Sequence, residues 1–152
     1  MSTEMTQKGE IFQRTVMIQK KSRRYPILFL QPVLKSMVWG GERLKTDFGY
    51  DSLENNLGEC WGISAHPNGD CPVFNVEYSG KTLSQLWQEE PGFFGKYHSQ
   101  QFPLLTKIID AKKDLSIQVH PNDAYAGERE NGSLGKMECW YVVVSDDRWV
   151  PT

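Results

Sequence analysis

Two short stretches carry residues whose types and spacing could do metal-assisted chemistry. The first is Asp114-Leu-Ser-Ile-Gln-Val-His120-Pro121, and the second is Lys136-Met-Glu-Cys-Trp140. Side chains of an extended strand alternate between its faces, so Ser116, Gln118 and His120 would share one face and Leu115, Ile117 and Val119 the other. By the same rule Lys136, Glu138 and Trp140 fall together, opposite Met137, Cys139 and Tyr141. Residues 122–135 are polar and glycine-rich, long enough to bring the second stretch back beside the first as an antiparallel neighbour. If the apolar faces pack on a covering layer, the polar faces line one cavity with an imidazole, a carboxylate, an amide oxygen and an ammonium. Imidazole and carboxylate are good zinc ligands, and a catalytic zinc keeps one position open. A half-exposed antiparallel strand shows the same alternation, and glutamine is an uncommon zinc ligand, so spacing suggests a site without establishing one.

The elements that must position these groups read as short strands between turn signals. Residues 71–78, 104–109, 115–120 and 137–144 are strand-like by length and by Ile/Val/Tyr content. Trp39-Gly40-Gly41 and His66-Pro67-Asn68-Gly69-Asp70 read as tight turns. One helix is expected over residues 84–90, with Thr82 as its N-cap and Pro91-Gly92 as its stop. Many short strands with Gly/Pro turns point to an all-β sandwich or barrel with minor helix.

The whole chain has 152 residues, with 39% hydrophobic content and 13 glycines, enough to bury a core. Seventeen Lys+Arg against 19 Asp+Glu give a formal charge of −2, which argues against nucleic-acid or membrane-surface partners bound by charge alone. No run approaches the roughly 18 apolar residues a membrane-spanning helix needs. The cysteines, Cys60, Cys71 and Cys139, are odd in number, form no CxxC pair and follow no secretory signal, so reduced thiols in a cytoplasmic protein are expected. Cys60 and Cys139 sit among apolar neighbours and read as small core residues. Residues 1–24 form a polar N-terminal extension ending in Lys20-Lys21-Ser22-Arg23-Arg24, which reads as a solvated tail.

Five pieces, in order, carry a family resemblance: Pro32-Val-Leu-Lys-Ser-Met-Val-Trp-Gly-Gly41, Gly58-Glu-Cys-Trp-Gly-Ile-Ser-Ala-His-Pro67, Phe102-Pro-Leu-Leu-Thr-Lys-Ile-Ile-Asp110, Leu115-Ser-Ile-Gln-Val-His-Pro-Asn-Asp123 and Gly135-Lys-Met-Glu-Cys-Trp-Tyr141. Together they make the chain resemble the N-terminal portion of the type I mannose-6-phosphate isomerases (phosphomannose isomerases), in their short bacterial form. The resemblance implies a cupin or jelly-roll β-sandwich, covered over residues 25–144, with 145–152 a non-matching tail. It implies a cytoplasmic, zinc-dependent aldose–ketose isomerase that interconverts mannose 6-phosphate and fructose 6-phosphate through a cis-enediol. It puts the zinc-ligand positions at Gln118, His120 and Glu138, and Ser116, Lys136, Lys107 and Glu59 among the catalytic and substrate-site groups, with Trp39 near the cavity. Lys107, set in Leu-Leu-Thr-Lys-Ile-Ile, is expected to be buried and partnered, and Glu59 is a candidate partner. A further zinc-ligating histidine and an essential arginine of the family lie downstream of position 152, so the jelly roll is expected to be incomplete at its C-terminus. The competing expectations are a non-catalytic cupin-type module that binds a sugar phosphate or metal, and an inactive fragment.

Overall fold

The computed structural model describes residues 27–95, 97 and 99–145, which form two compact units divided between Asp114 and Leu115. The polar N-terminal extension with its basic cluster, and residues 146–152, lie outside the described residues.

The first unit is built on a three-stranded antiparallel sheet. Strand β1 (Val33–Gly41) and strand β5 (Thr106–Ile109) flank β2 (Leu57–Ile63), which is paired on both edges. In register, Leu34, Cys60 and Ile108 stand side by side, and so do Lys35, Glu59 and Ile109 one step along. Cross-strand partners share a face, so the sheet has an apolar side and a side bearing charge. On the apolar side Leu44, Leu57 and Cys60 are fully buried, with Leu34, Tyr50 and Ile108 packed against them. Leu44 comes from α1 (Arg43–Thr46), a single turn held at its start by the Asp110 carboxylate, which accepts the Arg43 N–H at 2.7 Å. The pairing slips by one residue between Lys35 and Ser36, and beyond the slip Leu57 joins Cys60 in the core. Tyr50 and Cys60 meet inside this core. That contact, and then burial, pushes the Tyr50 hydroxyl up to about 12, while burial raises the Cys60 and Cys71 thiols.

Beyond β2 the chain makes a two-residue hairpin, β3 (Ala65–His66) with β4 (Gly69–Asp70), around the Pro67-Asn68 turn the sequence signals. Asp70 then accepts the backbone N–H of Ser84 at 3.1 Å and also its hydroxyl, tying the hairpin to α2 (Leu83–Glu89). Thr82 caps this helix as expected, with the Gln85 side chain accepting the Thr82 N–H at 2.9 Å. Leu83, Leu86 and Trp87 form its buried stripe, and Phe94 and Phe102 stand edge-on to Trp87.

Three local expectations are corrected. Trp39-Gly40-Gly41 is the end of β1, not a turn. Residues 71–78 do not form one strand. Isolated bridges Leu30–Val73 and Pro72–Thr82 hold its first half, and a 3₁₀ turn, Val76–Tyr78, ends it. Residues 115–120 and 137–144 form no regular strand, and Ile117, Val119, Met137 and Tyr141 are almost wholly exposed, so their apolar alternation finds no covering layer among the described residues. No helix among the described residues is long and apolar enough to cross a membrane.

Removing side-chain volume from the closed core should leave a cavity. Leu57→Ala is expected to cost about 2–5 kcal/mol in urea unfolding, and a loss well under 1 kcal/mol would contradict the packing described.

Candidate functional site

The second unit, residues 115–145, brings His120, Lys136 and Glu138 together through a return loop closed at its base. The backbone N–H of Lys136 donates to the Pro121 carbonyl at 3.1 Å, and that of Gly135 donates to the Asp123 carboxylate at 2.8 Å. The approach is close enough to require glycine: a Cβ at position 135 would stand 2.6 Å from backbone atoms of Asn122 and Asp123. Between the closing residues runs α3 (Asp123–Arg129), started by Asn122, whose side chain accepts the Tyr125 N–H at 2.9 Å. A residue with positive φ, Asn131, and then Gly132 turn the chain back. The sequence indicates that this segment returns. The helix inside it, with one buried side chain at Ala126, goes unrecognised there because it has no apolar stripe to show.

At the mouth of the loop His120 Nε2 and Glu138 Oε2 lie 2.5 Å apart, and Lys136 Nζ is 2.8 Å from the same carboxylate oxygen. The hydrogen bond from Lys136 holds the Glu138 carboxyl below the ordinary glutamate range. The charge of Lys136 and the contact with His120 add to this, against partial desolvation. One imidazole nitrogen and one carboxylate therefore converge, the carboxylate kept anionic by a neighbouring ammonium. These side chains remain partly exposed, and solvent-screened pairs add little to stability, so the cluster is not a folding element. Ser116 and Gln118, on the same segment as His120, are exposed. Among the described residues no three of His, Cys, Asp and Glu gather as a metal cage. Cys139, expected in a core, is exposed.

The remaining expected site residues belong to the first unit. Glu59, buried on the charged side of the sheet, pairs with Lys107, whose Nζ lies 3.3 and 3.2 Å from the two carboxylate oxygens. The lysine expected to be buried and partnered is thus partnered but half-buried, and the candidate partner Glu59 is the one it takes. Trp39 is half-buried beside Gly58, and its carbonyl accepts from Lys112 and Lys113. Sequence reasoning passed over Lys35 and Trp61, although Trp61 stands two residues from Glu59 on the same strand and so on the same face.

The chain is mainly β, with a charged side to the sheet of its first unit and a histidine–carboxylate–lysine cluster on a closed return loop of its second. Residues 27–142 match the family described as phosphomannose isomerase type I, catalytic domain, and the chain belongs to that family. It is 53% identical over 116 residues to mannose-6-phosphate isomerase ManA of Bacillus subtilis, covering 76% of this chain and 36% of that protein. It is 52% identical over 120 residues to the mannose-6-phosphate isomerase of Streptococcus mutans, covering 79% of this chain and 38% of that protein. The crystal structure of the mannose 6-phosphate isomerase from Bacillus subtilis superposes with a TM-score of 0.69 at 53% identity, over 71% of this chain and 34% of that one. A phosphomannose isomerase structure from Salmonella typhimurium, 20% identical with a TM-score of 0.56 over 69% of this chain and 29% of that one, shares the fold. The chain spans little more than a third of the length of the curated relatives it matches.

Two outcomes check this geometry. Lys136→Ala should let the Glu138 carboxyl rise toward the ordinary glutamate range, read by carbon-detected NMR titration; an unmoved midpoint would show that Lys136 does not set it. Because the folded value is the lowered one, what Glu138 adds to stability is present above the ordinary glutamate range. It is lost as pH falls through the folded value. Gly135→Ala should open the loop base, seen as loss of the through-space NMR contact between the His120 ring and Glu138, since backbone atoms on both sides cannot yield to a Cβ.

Proposed function

We propose that the chain acts as a zinc-dependent aldose–ketose isomerase that interconverts mannose 6-phosphate and fructose 6-phosphate through a cis-enediol. The observation that carries this reading is the convergence of His120, Glu138 and Lys136 inside the segment that matches the isomerase family. The donor set suits zinc: His120 Nε2 and a Glu138 oxygen already meet, and the Gln118 amide oxygen from the same segment is the proposed third ligand. When bound, zinc supplies the positive charge that polarises the sugar carbonyl and makes the neighbouring C–H acidic.

Isomerisation breaks that C–H bond, leaves its electron pair in the C=C of the enediol and returns a proton to the adjacent carbon. Lys136, already donating to Glu138, is placed to steady the negative charge that develops on oxygen or to assist the proton transfer. Ser116 donates its hydroxyl to a phosphate oxygen. Lys107, kept in place by Glu59 in the first unit, offers an ammonium to an anionic ligand. The three free cysteines suit a reducing compartment, and the proposed location is the cytoplasm.

The competing reading is a sugar-phosphate or metal-binding module without turnover. Purified protein should be assayed for fructose 6-phosphate formation from mannose 6-phosphate by a coupled enzyme, with zinc measured by mass spectrometry. Glu138→Ala is expected to lose both zinc and turnover, the latter by at least about 100-fold. Sugar-phosphate binding without turnover would favour the module, and neither zinc nor binding would sink both readings.

A further inference from the structure

On the charged side of the sheet, the Trp61 side chain is the point on which five other residues converge. Its indole N–H donates to Glu59 Oε2 at 2.5 Å, and that carboxylate is also the partner of Lys107. Lys107 Nζ lies 4.8 Å from the indole ring centroid and Lys35 Nζ 4.6 Å, both within range of the ring's quadrupole. Lys35 Nζ also donates to the Asn68 carbonyl in the β3–β4 turn. His66 stands edge-on to the indole at 5.7 Å and 85°. At Gly69 a Cβ would be 2.7 Å from the ring, so the hairpin backbone fills the place where a side chain would push the indole aside. Trp61 itself is 8% exposed.

We propose that Trp61 is a positioning residue: through its N–H it fixes the rotamer of Glu59, and through its ring it holds the Lys107 and Lys35 ammoniums in one arrangement on the charged side of the sheet. The chemistry supports this division of labour. A buried carboxylate with a single lysine partner can rotate about its last torsion, but one whose oxygen also accepts from a rigid indole cannot. A lysine carries close to the largest rotamer freedom of any side chain, and an aromatic face under its ammonium removes much of it before a ligand arrives. The role rests on the reading above in one respect, that Lys107 offers its ammonium to an anionic ligand, for which mannose 6-phosphate is the probe.

The test is brief acetylation of the full chain with acetic anhydride at one pH, read lysine by lysine by peptide mass spectrometry. The exposed Lys112 and Lys113 serve as the internal reference. In the native chain Lys35 and Lys107 should react several-fold more slowly than the reference pair. Trp61→Leu should bring both to the reference rate. Trp61→Phe, which keeps a ring and loses only the N–H, should restore slow reaction at Lys35 and leave Lys107 intermediate. Where Trp61→Leu fails to fold by circular dichroism, Glu59→Gln replaces it and should release Lys107 alone. Lysines that keep their slow rates in the folded variant overturn the proposal. Mannose 6-phosphate at saturating concentration should further slow Lys107 in the native chain and not in Trp61→Leu or Glu59→Gln. Equal slowing in native and variant chains overturns the positioning role while leaving the substrate reading intact. No slowing in the native chain overturns the substrate reading, while the rates without ligand still decide the positioning role.

Discussion

The double pairing of β2 is the constraint from which the first unit follows. A strand hydrogen-bonded on both edges cannot slide or rotate, so from Glu59 to Trp61 its alternation commits successive residues to opposite sides, the slip at Leu57 being the break in it. Cys60 is thereby sent into the core with Leu34 and Ile108, and Glu59 and Trp61 are sent to the side where Lys35 and Lys107 stand. A one-residue shift would bury the carboxylate among leucines and expose the thiol. The apolar contacts of Leu44 and Leu57 thus stabilise the sheet and at the same time determine where the charges go.

The second unit obeys a different constraint. Its extended segments contribute no ladder, and the neighbours that could have come from a sheet come from a loop base closed by backbone atoms and one carboxylate. His120 and Glu138 sit close because Pro121 and Lys136 are tied, so the pair is set by local closure and not by a large core. Such a closure is short in sequence and inexpensive in loop entropy, which suits a site that must keep its side chains open to solvent.

Much of this was legible in the sequence, and the reasons differ by element. The capped helix from Leu83 and the Pro67-Asn68 turn were legible because capping and turn chemistry are local. The Glu59–Lys107 pair was legible because a lysine among isoleucines and leucines must have a partner. The cluster of His120, Lys136 and Glu138 was legible from alternation, although the strands that alternation presupposes are not formed. What escaped was non-local. Whether Gly40 and Gly41 end a strand or make a turn depends on Leu57 and Asp110, residues far along the chain. Trp61 was passed over, since nothing in its neighbourhood along the chain announces that Lys35, Gly69 and Lys107 fold around it.

The different settings of the three thiols give the molecule a built-in reporter. Cys60 and Cys71 are wholly enclosed and their thiols are raised by burial, so neither presents a thiolate to a reagent while the first unit is intact. Cys139 is exposed and stands next to Glu138. A thiol-directed fluorophore added to native protein is therefore directed to one address, beside the histidine–carboxylate pair. The two silent thiols become countable only when the sheet comes apart, so a single labelling chemistry distinguishes events at the site from loss of the fold.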